Sequence, residues 1–251
     1  MPREKVLGFK SHLMAIKDKL KSFWFGGPRW RMWLKRLVVV VIAWPLVMTL
    51  VYGVMPVPFS NLMILRLFKG NGITKNWVGL DQMSPDLARA VIASEDQRFC
   101  QHHGVDWVEF QDAMDGEEGP TRGASTVSMQ VAKNLFLWDG HSFIRKGLEM
   151  PLAYYMDGVL TKRRMLEIYL NIVEWAPGVY GAEAAAQHHF GKPAAKLNRR
   201  EAALMAAVLP NPIKRQAGKP STKVRAVANR IQLRMIGIDE YLACLQQNPR
   251  L

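Results

Sequence analysis

The sequence predicts a mainly α-helical protein, with one N-terminal membrane-spanning helix ahead of an α-rich domain. Three observations carry this. Leu37–Met55 holds no charged residue and has about the length a helix needs to cross a bilayer. From Ser84 onward, helix start and stop signals recur to about Ile236. Strand signals are weak throughout, and no internal repeat is visible. The 251 residues, 49% hydrophobic and 10% aromatic, are enough for one good-sized globular domain plus an anchor.

The apolar run is Val-rich and contains Pro45, which a membrane helix tolerates and which can kink it. A buried core helix or strand is the competing reading, but the uncharged stretch approaches spanning length. A cleaved signal peptide fits less well. The preceding 36 residues exceed a usual n-region, and no convincing small-x-small site follows. Residues 1–36 hold ten Lys/Arg against Glu4 and Asp18, which is +8 of the total +13 and leaves +5 for the rest. A basic flank predicts a cytoplasmic N-terminus and contact with anionic headgroups. Nucleic-acid binding, the generic reading of a high pI, is set aside because most of the excess lies beside the membrane segment.

The expected organisation is a cytoplasmic basic tail (1–36), a signal anchor (37–55), a juxtamembrane connector (56–80) and a catalytic domain (81–251). The connector carries Pro56, Pro58, Gly70, Gly72 and Gly79, with a short helix near Leu62–Phe68. Ser84-Pro85-Asp86 starts a helix that leads into Leu87–Glu95. Asp115–Pro120 reads as a loop, and Ser125 or Thr126 caps a helix running to about Leu137. Arg145–Leu160, Thr161–Asn171, Gly181–Phe190 and Arg199–Leu209 read as helices, the last stopped by Pro210. Thr222–Ile236 reads as a basic amphipathic helix.

Two carboxylates stand out, Glu95 and Glu149, each inside a dense polar motif. Between them lie a Gly-Ser-Thr turn (Gly123, Ser125, Thr126) and a cationic helix. That set suits sugar chemistry on an anionic donor: a carboxylate takes a proton from a hydroxyl, and cations hold a phosphate. Helical spacing puts Gln130, Lys133 and Asn134 on one face, and sets Arg145 four residues before Glu149. Each pair alone reads equally as a solvated face with a routine ion pair. His102-His103 and His188-His189 could suggest metal, but neighbours on a helix diverge and no HExxH spacing exists, so structural roles are expected.

Together these motifs resemble the family 51 glycosyltransferases, the peptidoglycan glycosyltransferases, and in particular their monofunctional members. Glu95, Asp96, Phe99, His102 and Gly104 match the first motif. Gly123, Ser125, Thr126, Gln130, Lys133 and Asn134 match the second, and Arg145, Lys146 and Glu149 the third. Lys162, Leu166, Glu167, Tyr169, Leu170 and Asn171 match the fourth, with Met165 for Ile. Further matches run through Glu174–Gly178, Gly181–Ala186, Phe190–Lys192 and Glu201–Leu204. One departure is Met129, where the family usually has the first Gln of a Gln-Gln pair. Met can fill that space if the Gln is structural.

The resemblance implies a lysozyme-like catalytic lobe, a smaller membrane-associated lobe and a cleft between them. It implies polymerisation of lipid II with inversion at the anomeric carbon and release of undecaprenyl pyrophosphate. Glu95 is then the base. Lys133, Arg145 and Lys146 hold the pyrophosphate, with Asp96, Ser125, Thr126, Gln130 and Asn134 as further substrate contacts. Glu149 orients Arg145, holds a divalent cation (Mg or Mn) or assists at the pyrophosphate. Glu167 and Tyr169 brace the cleft. Expected partners are lipid II, the growing lipid-linked glycan, the membrane and cell-wall synthesis or division proteins. The expected location is the bacterial inner membrane, single-pass, with the catalytic domain periplasmic.

Two other classes compete. A two-carboxylate hydrolase needs no cationic cradle, so Lys133, Arg145 and Lys146 argue against it. A non-enzymatic glycan-binding scaffold would tolerate Glu95→Gln. No Ser-x-x-Lys or Lys-Thr-Gly occurs, so strands should be made but not cross-linked. Cys100 and Cys244 have no metal or redox spacing; outside the membrane they could pair, but the sequence does not decide it.

Overall fold

The computed structural model describes residues 28–115, 125–140 and 142–246, with 14, 17 and 19 of the tail. The rest of the basic tail, Gly123 and all but the first residue of the 115–120 loop lie outside the described residues. The chain divides into two units, Met1–Met48 and Thr49–Leu251.

Helix α1 (Arg29–Val54) begins in the first unit and has a mean hydropathy of 2.5 over its most apolar window, long and apolar enough to cross a membrane. It starts eight residues before the uncharged run. The added turns carry Trp30 and Trp33, with Arg31 and Arg36 over those rings. Amphipathic aromatics and cations at a span's end sit where hydrocarbon meets water. The side chains of Leu37, Val40, Val41, Ile42, Trp44 and Val47 are exposed, which only an apolar solvent would favour.

The second unit is mainly helical: α2 (Asn61–Phe68), α3 (Pro85–Glu95), α4 (Trp107–Asp115), α5 (Val127–Phe136), α6 (Phe143–Val159), α7 (Lys162–Ile172), α8 (Ala182–Phe190), α9 (Arg199–Val208), α10 (Thr222–Arg234) and a last turn, α11 (Ala243–Gln246). The starts follow the sequence because side-chain caps sit there. Ser60, Thr126, Ser142, Thr161, Asn198 and Ser221 each accept a hydrogen bond from a backbone N–H of the first turn. Asn198 and Glu201 complete a capping box.

Two helical groups form the core. In one, α9 buries every residue from Ala202 to Val208 against α3 and α10. In the other, α5 packs on α6 and α7, whose Met165, Leu166 and Ile168–Ile172 are buried. A small sheet was not expected from the sequence. β1 (Thr74–Lys75) pairs parallel to β3 (Val179–Tyr180), which pairs antiparallel to β2 (Glu174–Ala176) around the buried Trp175. Strands of two or three residues are too short for an alternation to show. Helix α4 was also missed, though Asp106 accepts from the Val108 and Glu109 N–H groups at 3.1 Å, an Asp-x-x-Glu start that the sequence displays. Cys100 and Cys244 are joined in a disulfide.

Candidate active site

Glu95 is the last residue of α3, and Asp96 leaves the helix with φ −161°. The loop that follows is held from three sides. Asp96 is buried; one of its oxygens lies 2.8 Å from His102 Nε2, and the other accepts from Val127 N at 2.9 Å. Lys162 donates to His102 O at 2.7 Å, pairs with Asp157 at 2.7 Å and lies over the Phe99 ring. Gly104 closes the loop at φ +75°, where a Cβ would meet Ala153 O at 2.6 Å, so only glycine lets the loop rest on α6. The first motif is thus a brace that ends α3 with its carboxylate facing α5.

From α5, Gln130 donates through Nε2 to Glu95 Oε2 at 2.9 Å, while its Oε1 accepts from the Tyr169 hydroxyl of α7 at 3.1 Å. Ser94 donates to Glu95 Oε1 at 3.3 Å. Glu95 keeps partial access to solvent, yet burial raises its pKa above the ordinary 4.5, with the negative Asp96 adding to the rise. The Gln130 and Ser94 hydrogen bonds and the charge of Lys133 oppose it. Desolvation penalises the charged form, and burial is the first-named cause here. The Tyr169 pKa is likewise pushed well above 10.0 by burial, which keeps it a neutral hydroxyl donor.

The cations come from α5 and α6. Arg145 forms an ion pair with Glu149 one turn on, and both are buried. Arg145 Nε also donates to Gly140 O at 2.9 Å. Lys146 lies 3.5 Å from the other Glu149 oxygen and donates to Ser125 Oγ. Burial and then the repulsion of Arg145 and Lys133 lower the Lys146 pKa to about 8. Lys133 is lowered by the same two causes, burial first and Arg145 next. Two buried lysines crowded by neighbouring cations form a place where an anion would relieve the repulsion.

The structure therefore brings together Glu95, Gln130, Lys133, Arg145, Lys146, Glu149 and Ser125. Asp96 and Thr126, expected to contact substrate, are buried with their hydrogen bonds made inside the protein. Thr126 donates to Gly104 O at 2.5 Å and caps α5. Asn134 is also buried. Met129 is fully buried in α5. The sequence reading passed over Arg66 of α2, which pairs with Asp139 at 3.4 Å and with Glu174 at 3.3 Å beside this cationic region. Its only sequence signal was a lone cation in an apolar octet.

Comparison with known proteins agrees. Residues 63–236 match the family model described as Transglycosylase. The chain is 50% identical over 223 residues to the biosynthetic peptidoglycan transglycosylase of Rhizobium etli, covering 85% of this chain and 94% of that protein. Its identity to the protein of that name from Agrobacterium fabrum is 49% over 219 residues, 84% of this chain and 96% of the other. For Rhodopseudomonas palustris it is 51% over 195 residues, 76% and 86%. With a match over most of its length and a carboxylate set against a nest of cations, the chain belongs to the transglycosylase family.

Proposed function

We propose that this chain is a peptidoglycan glycosyltransferase that polymerises lipid II into linear glycan strands. Glu95 takes the proton of the acceptor sugar's 4-hydroxyl as the new O–C1 bond forms. The bond from C1 to the lipid pyrophosphate breaks, and the configuration inverts from α to β. A hydroxyl is a poor nucleophile at neutral pH, so a base near the bond-forming oxygen is required. The departing pyrophosphate gathers negative charge, which Lys133, Arg145 and Lys146 meet in place. Glu149 keeps Arg145 aimed through their buried pair. The observation that supports this best is the placing of a partly accessible Glu95, held by Gln130, with Lys133, Arg145 and Lys146.

The residues do not fit a metal held by the protein. Both Glu149 oxygens face Arg145 or Lys146, and the nearby Asp139 and Glu95 carboxylates are engaged by Arg66 and by Gln130. Among the described residues no group of three His, Cys, Asp or Glu could hold an ion. No step is routed through one.

The same reading puts the N-terminus in the cytoplasm and the catalytic domain outside. The spanning length of α1 and the +8 of residues 1–36 before it support that orientation. So does the Cys100–Cys244 disulfide, which belongs to an oxidising compartment. A reporter fused after Leu251 should work only as a periplasmic reporter; activity of a cytoplasm-only reporter would reverse the topology. Incubating the purified chain with lipid II and resolving products by size tests the activity. A ladder of glycan strands is expected. Release of fragments from polymeric peptidoglycan, with lipid II untouched, would establish a hydrolase instead.

A further inference from the structure

The charge outside the N-terminal tail is not evenly spread. Residues 191–236 hold eleven Lys/Arg against the single acid Glu201, a net +10, so the remaining residues outside 1–36 carry −5. Glu201 is itself occupied by Lys192 at 2.6 Å and by the Asn198 N–H. More than half of these cations lie on one helical pair, α9 and α10. Arg199 donates to Gln232 O at 2.9 Å, so the start of α9 lies at the end of α10. That brings Arg199 and Arg200 to the same end as Arg230 and Arg234. Along α10, Lys223, Arg230 and Arg234 fall on one stripe, because offsets of seven and four residues return to the same face. All five, and Lys196, are exposed, and none has a carboxylate partner among the described residues. Other cations among the described residues have carboxylate partners, as Arg89 has Asp239 and Lys192 has Glu201. These six do not.

We propose that the α9–α10 face holds a carboxylate-bearing glycan–peptide polymer, the anionic material of the cell wall, against the enzyme. This rests on the peptidoglycan reading above. The stripe from Lys223 to Arg234 runs about 16 Å at 1.5 Å per residue, which suits charges repeated along a strand rather than one small anion. Guanidinium forks bind carboxylates in two-point fashion, and four of the six cations are arginines. Tethering by α1 raises the local concentration at any nearby polymer, so individually weak contacts add up.

A bilayer is the other anionic surface within reach, and its natural face is elsewhere. Phe59, Ile64, Leu67 and Phe68 are exposed on and beside α2, which follows α1 directly. Phe143 and Ile144 are exposed at the start of α6, close to where Asn61 binds Leu137 O and Arg66 binds Asp139. By contrast, α10 packs on α9 and α3. Leu233 and Ile236 are exposed beside the stripe, so vesicles belong in the test.

The test uses the full chain in detergent with Arg200→Gln, Arg230→Gln and Arg234→Gln combined. Retention on purified peptidoglycan sacculi should fall about tenfold, roughly twofold per cation removed. The rate of polymerisation from soluble lipid II and the melting temperature should be unchanged. The wild-type chain should also release methyl-esterified sacculi, which have lost their carboxylates. If the triple variant is unstable, Lys196→Gln with Lys223→Gln serves the same purpose. Wild-type retention by either stable variant overturns the proposal. So does retention that survives esterification, or a loss confined to phosphatidylglycerol vesicles. A wild-type chain that makes no glycan yet binds sacculi through these residues would sink the polymerase reading and leave this surface standing.

Discussion

Gln130 donates its amide N–H to the Glu95 carboxylate at 2.9 Å and is fixed in that orientation by Tyr169, whose hydroxyl donates to its carbonyl at 3.1 Å. A glutamine amide can present oxygen or nitrogen; the tyrosine decides which. Tyr169→Phe frees the amide to turn. One neutral hydrogen bond contributes about 0.5–1.5 kcal/mol, so turnover should fall about two- to tenfold. The Gln130 bond lowers the Glu95 pKa, so loosening it should move the acid limb of the rate profile to higher pH. A purely structural role for Tyr169 would leave that limb in place.

Glu95 and the cations should separate cleanly by kinetics. Glu95→Gln keeps size and hydrogen bonding but accepts no proton, so turnover should drop on the order of 10²–10⁴-fold. Donor-analogue affinity should hardly change. Lys133→Ala and Arg145→Ala should weaken that affinity as well as turnover, since each removes a charge-assisted bond. Glu149→Gln should fall between, disturbing Arg145 without deleting it. Wild-type polymerisation by Glu95→Gln would shift the mechanism to Glu149.

With Glu95 as base and Lys146 as a phosphate-holding cation, as proposed, the pKa directions predict a bell-shaped profile. Activity requires ionised Glu95, whose pKa lies above 4.5, so kcat/KM should rise with pH through that raised value. Lys146 must stay protonated, and its pKa is lowered to about 8, so kcat/KM should decline above that pH. Lys146→Arg should push the alkaline limb upward, because a guanidinium does not deprotonate in this range. An alkaline limb unmoved by that change would assign it to another group.

Met129 is fully buried in α5. Met129→Gln should therefore change turnover by less than tenfold, about 1.4 kcal/mol in barrier. It should cost stability, since a buried amide without partners carries a penalty of about 1–3 kcal/mol. Kinetics beside thermal unfolding would show it; a large loss of turnover with an unchanged melting temperature would contradict it.

Much of this was legible in the sequence because the signals are local. Pro85 and the Ser, Thr and Asn caps set the helix starts, and fixed helical offsets put Arg145 one turn from Glu149. What was not legible depends on long-range approach. Nothing in the sequence shows that Tyr169 reaches across 39 residues to Gln130, or that Asp96 turns inward to His102 and Val127. The sheet escaped because β1 and β3 are brought together from over 100 residues apart by two-residue strands. The clustering of α9 and α10 cations was hidden by averaging +5 over a whole domain.

The Cys100–Cys244 bond joins the segment just after Glu95 to one of the last helical turns, 144 residues later. Synthesis and export run from the N-terminus, so the first motif emerges long before its covalent partner. Until Ala243–Gln246 has crossed, Cys100 is a thiol five residues from the proposed base. The bond can thus form only once Cys244 has been delivered, and any chain cut short before it reports itself as a free sulfhydryl beside the first motif. Closure of this ring makes delivery through Cys244 a chemical condition for finishing the loop that carries the first motif.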